Sequence, residues 1–355
     1  MPFSYRKSLT LTASQAGTVD SSNWPLTIAL DGNVQAADLD LRTVANGGFV
    51  QNANGYDIRP FSDINLTTAL TFEIVYYNAS AGQLEMHVNI PTLSTTNNTV
   101  IYLAFWNVTL SSDGSSTGTW DSSYKLVLHL KDGTTLSVAD STASAYSSSN
   151  TGMTAAAGKI DGGANSDGSA GNRITVTNGS NTISGDNTYT ISEWIKPASL
   201  TEVPVLWNIF SAAPLIDLFA EIGAAIAYWG DTVLSAYNTY GNSSFSNGTW
   251  YHLTWIKTGS GSAGTFYINA IAQTPTVTAI ASTPTGANIN LVISDYQSPT
   301  FEFNGVVDEF RISDTDRSLS WITAEYNAQK ASSTFIVWGA KQIPGSGARR
   351  FFMRR

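Results

Sequence analysis

NGVVDEFRISDTDRSLSWITAEY, residues 304–326, opens on the turn pair Asn304-Gly305. Val306, Phe310 and Ile312 then fall at strand spacing, and Leu319, Ile322 and Tyr326 at helical spacing, so the stretch reads as a strand followed by a short helix. Asp308 and Glu309 sit inside that strand beside Arg311. Two neighbouring carboxylates in an apolar strand suggest a salt bridge, a metal-ligand pair or a catalytic pair. On a regular strand neighbours point to opposite faces, so the two are not expected to flank one bond together.

The rest of the chain sets this stretch among many short strands. Its 355 residues suggest two domains, and a hydrophobic content of 42% is enough for real cores. Only 13% of residues are charged, so Ser, Thr, Asn and Gly must supply the polar surface, as suits secreted, cell-surface or virion proteins. A formal net charge of -9 argues against nucleic-acid binding. The absence of cysteine excludes disulfides, thiolate metal sites and cysteine nucleophiles. The N-terminal MPFSYRKSLTLT lacks the apolar core of a signal peptide. Either such a signal has been removed, or release occurs without secretion, as in lysis. The most apolar window, 203–230, is broken by Pro204, Asn208, Pro214, Asp217 and Glu221, so no membrane span is expected.

Residues 5–12, 24–30, 71–77, 84–90 and 100–106 read as strands of a first β-sandwich, residues 1–112. A Ser/Gly-rich stretch follows, and 113–120 is the expected linker. Strands resume at 124–130, 173–177, 189–195, 205–210, 250–257, 264–269, 290–294 and 304–313, with 335–339 as a last strand, giving a second domain at 121–340. The fold class is all-β: two tandem sandwiches, the second with a short C-terminal helix.

Several motifs in the second region run in the order of a known family. They are Asp140-Ser141 after the first strand, Gly158-Lys159-Ile160, Gly162-Gly163-Ala164, ISEWIKP at 191–197, WYHLTWIK at 250–257, Phe266-Tyr267-Ile268-Asn269, and GVVDEFRIS at 305–313. This region resembles the laminin-G-like, or concanavalin A-like, jelly-roll family. One departure is Ala270, where the family's turn carries glycine. The first region, through Tyr5-Arg6-Lys7, Trp24-Pro25-Leu26, Tyr56-Asp57-Ile58-Arg59, Phe72-Glu73-Ile74 and Ile101-Tyr102-Leu103, is similar to an uncharacterised β-sandwich module of bacterial, archaeal and phage surface proteins. That resemblance implies a surface location and no known chemistry.

The resemblance covers lectins, hydrolases and structural modules alike. The hydrolases of this fold carry Glu-x-Asp-x-x-Glu or close variants on one strand, and no such run occurs here. Glu193 reads as a surface or edge carboxylate, and His87, His129 and His252 show no metal-binding spacing. No enzyme is expected. The resemblance further implies structural Ca2+ at the sandwich rim, held by Asp140 and Asp308 if the first and last strands of the domain pair. For glycan contact the polar, turn-rich 237–242 is the expected site, with Tyr237, Asn238 and Tyr240 as contacts, joined by Trp229 and Tyr296. The basic tail, residues 341–355, offers Arg349, Arg350, Arg354 and Arg355 to an acidic partner surface. The expected function is a non-enzymatic, extracellular surface or virion protein, of capsid-decoration or tail-fibre type. It would attach to host or environmental glycans as an oligomer or part of an assembly, with no nucleic acid bound. A secreted carbohydrate-binding module or carbohydrate-active enzyme component, and a purely structural subunit, are the alternatives.

Overall fold

A computed structural model of the chain describes residues 3–31, 39–131, 135–183, 188–200, 204–209, 218–223, 226–231, 236–241, 245–259, 264–275, 289–295, 302–330 and 333–344. Contacts divide the chain into two compact units, Met1–Thr119 with Thr323–Arg355, and Trp120–Ile322.

The first unit begins with β1 (Tyr5–Leu11), β2 (Ser21–Leu30), β3 (Arg59–Phe61), β4 (Phe72–Asn78), β5 (Gln83–Leu93) and β6 (Thr99–Phe105). One antiparallel sheet runs β1-β6-β3 and another β2-β5-β4. Alternation drives the first sheet: Leu9, Leu11, Ile101, Leu103 and Phe105 are buried while Ser8, Thr10 and Val100 are not. Pro25 lies within β2 and is tolerated because β2 is an edge of its sheet, where a missing N–H breaks no ladder. The fully buried carboxylate of Asp57 accepts four backbone N–H bonds, from Gln51, Asn52, Trp106 and Asn107, at 2.8–3.2 Å. It ties the loop before β3 to the end of β6.

In the second unit the strands are β7 (Tyr124–Leu128), β8 (Ser148–Thr151), β9 (Thr154–Ala157), β10 (Gly162–Asp167), β11 (Arg173–Val176), β12 (Tyr189–Ser199), β13 (Val205–Ile209), β14 (Leu218–Gly223), β15 (Ile226–Asp231), β16 (Ala236–Gly241), β17 (Tyr251–Lys257), β18 (Thr265–Ile268), β19 (Ile271–Ala272), β20 (Leu291–Ile293) and β21 (Asn304–Ser313). They form two sheets, ordered β19-β18-β17-β12-β21-β10-β9, with β7 also on β21, and β16-β15-β14-β13-β20-β11-β8. One core holds Ile191, Ile195, Leu253, Trp255, Val307, Phe310 and Ile312 from the first sheet and Ile174, Trp207, Ile209 and Ile293 from the second. Trp207 and Trp255 meet edge to face at 5.5 Å, so indoles on strands of both sheets share the core.

One α-helix occurs among the described residues, α1 (Leu319–Gln329), and the unit boundary falls within it. On the second unit's side, Arg317 binds Asp121 with two 2.7 Å bonds and lies over the rings of Tyr124 and Trp321. On the first unit's side, Asn327 donates to the Gln15 carbonyl and Gln329 to Thr27 Oγ1. The sequence reading makes 335–339 the closing strand of the second region. Instead β22 (Ile336–Trp338) pairs antiparallel with β1, and Phe335 packs edge-on against Trp24 at 5.8 Å.

Candidate functional site

The two carboxylates of β21 sit where the strand departs from regular geometry. Ser192 of β12 faces Arg311, and Trp194 faces Asp308. A single residue, Glu193, therefore lies opposite the pair Glu309-Phe310, which is a β-bulge. Glu309 takes a left-handed φ of 52°. Because Val307 and Phe310 both enter the core, two residues rather than one separate successive core positions. Strict alternation thus fails, and Asp308 and Glu309 are not sent to opposite faces.

Each carboxylate has its own partners. Glu309 binds His129 Nδ1 at 2.7 Å and accepts from the guanidinium of Arg311, whose Nε lies 3.1 Å away. Arg311 also stacks over Trp120, 5.0 Å from its ring centre. Oδ2 of Asp308 accepts the backbone N–H groups of Lys159 and Ile160 at 2.7 and 2.8 Å, while Oδ1 has no hydrogen-bond partner among the described residues. Gly158 is required beside it: a Cβ there would lie 2.7 Å from Asp308 Oδ2 and 1.9 Å from the carbonyl oxygen of Gly162. Burial, and then the nearby Glu309 charge, push the Asp308 carboxyl well above its ordinary range. Lys159 extends over Trp194 at 4.9 Å, and its ammonium is lowered by burial. Glu309 is thus ion-paired with Arg311, whereas Asp308 is held by backbone N–H groups.

β7 does pair with β21, as the calcium expectation requires. Asp140, however, is engaged elsewhere. Oδ1 accepts the N–H groups of Val127 and Thr142 at 3.1 and 3.0 Å, and Oδ2 accepts Thr142 Oγ1 and the Tyr146 N–H at 3.0 and 2.9 Å. Asp140 and Asp308 share none of these partners.

The expected glycan contacts fall on the end of the other sheet. Residues 236–241 are not a polar loop but β16, the terminal strand of the order given above. Three antiparallel strands, β14 to β16, occupy a region where the sequence reading places none. Trp229 stands opposite Asn238, Gly230 opposite Tyr237 and Ala227 opposite Tyr240. Tyr296 lies outside the described residues, as do Arg349, Arg350, Arg354 and Arg355.

Residues 167–323 match the model of the concanavalin A-like lectin/glucanases superfamily. The second unit is a concanavalin A-like jelly roll. No curated protein matches the chain. Among solved structures it is similar to domain 4 of AbnA, a GH43 extracellular arabinanase from Geobacillus stearothermophilus solved with arabinotriose, at 18% identity and a TM-score of 0.44, covering 58% of this chain and 98% of that domain. It is also similar to the binding domain of Paraclostridial Mosquitocidal Protein 1, at 14% identity and TM-score 0.45, covering 58% of this chain and 52% of that one. The botulinum neurotoxin serotype D binding domain gives 17% identity and TM-score 0.43, with 58% and 51% covered. The chain thus spans about half the length of these two toxin domains.

Two residues of the jelly roll depart from, or escape, the sequence reading. Glu193 is no surface or edge carboxylate: it is fully buried on β12 between the core positions Ile191 and Ile195, opposite Leu253. Arg317, which clamps Asp121, carries no sequence signal beyond standing between the strand and the helix of 304–326, because its partner lies 196 residues away.

Proposed function

We propose that the chain is a non-enzymatic surface protein whose jelly roll binds carbohydrate through the end of the sheet at β15 and β16. The observation that supports this reading is the pairing of β15 with β16 at the end of the sheet, which sets Trp229 opposite Asn238 and Ala227 opposite Tyr240. Aromatic platforms beside an amide suit a sugar, with apolar ring faces stacked and hydroxyls hydrogen-bonded. The proposal assigns no calcium, because the Asp140 oxygens already accept N–H and O–H hydrogens and a cation seeks the same lone pairs. Display on a virion or cell surface is supported by the weakly charged, Ser/Thr/Asn-rich composition, with the arginine-rich end as the contact to an acidic assembly partner.

A glycan array probed with the full chain tests the site. For a glycan that binds, Trp229→Ala and Tyr240→Ala should each weaken binding by at least about tenfold, the loss typical of an aromatic anchor. Unaltered binding in both variants would remove β15 and β16 as the contact face.

A further inference from the structure

Three aromatic rings cluster in the first unit, two of them against a cation, and nothing in the glycan reading uses them. Tyr5 starts β1, Trp106 follows β6, and Phe49 lies between β2 and β3. Tyr5 meets Phe49 edge-on at 5.0 Å and Trp106 at 5.4 Å, and Phe49 and Trp106 lie 6.2 Å apart. Two of the rings are fixed through their own backbone. The Trp106 N–H donates to Asp57 at 3.0 Å, with φ at 66°, and the Phe49 N–H donates to the Asp40 carbonyl at 3.0 Å. Into this group reaches Lys341, with Nζ 3.3 Å from the centre of the Phe49 ring and 4.9 Å from that of Tyr5. The Asp40 carboxyl is lowered mainly by its hydrogen bond with Arg42, and the Lys341 charge adds to the effect. Tyr5, Phe49, Trp106 and Lys341 are all half-buried.

A long surface lysine ordinarily lays its stem on apolar surface and keeps its ammonium in water. Here the ammonium itself lies against ring faces, where attraction to the π quadrupole is the gain. A primary ammonium is strongly hydrated and gives up much of that gain on leaving water. A methylated ammonium carries the same charge with a weaker hydration shell, and aromatic cages are the usual receptors for such ions. Lys341 is held beside the rings by one backbone bridge, Arg6 with Gln342 at 3.0 and 2.8 Å, and by the Arg6 Nε bond to Gln342 Oε1 at 3.0 Å. We propose that Tyr5, Phe49 and Trp106 form an aromatic cage for a methylated ammonium ion, with Lys341 as a built-in occupant that such a ligand displaces. A tethered occupant competes at an effective concentration of about a millimolar or more, so it masks the cage from weak ligands.

Calorimetric titration of the full chain with choline chloride tests the cage. Lys341→Gln should bind choline about tenfold more tightly than the unsubstituted chain, and Phe49→Leu in the Lys341→Gln background should abolish binding. Phe49→Leu keeps apolar volume without a π face, and Tyr5→Leu provides the second variant should Phe49→Leu lower the melting temperature. The uncharged isostere 3,3-dimethylbutan-1-ol should bind Lys341→Gln at least about tenfold more weakly than choline does. Phosphatidylcholine vesicles and an Nε-trimethyllysine peptide, titrated in parallel, separate a lipid headgroup from a modified protein. Binding in either arm that Phe49→Leu abolishes supports the cage. Choline binding no tighter in Lys341→Gln than in the unsubstituted chain, equal binding of the isostere, or binding insensitive to the loss of the rings would overturn it.

Discussion

A carboxyl group without a donor has one inexpensive state in an apolar core, the protonated one. Glu193 is in that position: neither side-chain oxygen has a hydrogen-bond partner among the described residues, and burial raises it well above the ordinary range. Unfolded, it titrates near ~4.3. The folded state keeps its proton to higher pH, so the stability this proton represents is complete below that value. It is lost as pH rises through the folded value, at about 1.4 kcal/mol per pH unit in between. Glu193→Gln should therefore match the unsubstituted chain at acid pH and exceed its melting temperature at neutral pH. Parallel curves of melting temperature against pH would show that Glu193 carries no such proton. Asp308 is raised in the same direction and keeps a share of the slope. His252 works oppositely: burial, then the Arg311 charge, lower it from 6.5 to about 3. Its contribution is present above its unfolded value and is lost as pH falls toward the folded one.

Strands were legible from residue spacing and motif order, and β12, β17 and β21 match the expected segments to within a few residues. The bulge in β21 was not, because a left-handed residue is usually marked by Gly or Asn, and here it is Glu309. The same hidden residue misdirects the reading of Asp308, whose face depends on where alternation breaks. β14 and β15 escaped because LFAEIG and IAYWGD are too uniformly apolar to show a period, and β16 because the polar AYNTYG reads as a turn; only the ladder between them settles their conformation. Pairing between distant residues is equally silent in the sequence. The Arg317–Asp121 clamp uses a planar fork on a carboxylate and a stacked cation, neither of which lysine reproduces. Arg317→Lys should thus lose nearly as much as Arg317→Ala, about 2 kcal/mol or more of jelly-roll stability in denaturant titration. A lysine variant of full stability would reduce the clamp to a simple charge contact. For β22, the amides of Arg6 and Thr12, which donate to Gln342 and Phe335, are the reporters. Removal of residues 333–355 should abolish their protection from hydrogen exchange while that of the β5 amides persists.

At the level of the whole molecule, one unit is continuous in sequence and the other is not. Residues 120–322 contain every strand of the jelly roll, whereas the first sandwich takes β22, Asn327, Gln329 and Phe335 from beyond it. Expressed alone, 120–322 should give a cooperative melt. A fragment of residues 1–119 should be far less stable and should recover protection when a peptide of residues 323–344 is added in trans. Full stability of 1–119 without the peptide would show that the returning segment only decorates the sheet. The interrupted unit also has a consequence on the ribosome. After Thr119 is made, 203 residues, Trp120–Ile322, must be synthesised before the closing segment begins to emerge. At bacterial to eukaryotic elongation speeds that is a wait of roughly 10–40 s. Throughout it β1 presents an unpaired edge, blunted only by its Arg6, Ser8 and Thr10 side chains. The nascent chain would thus complete its later half first, reversing the usual order of synthesis and folding.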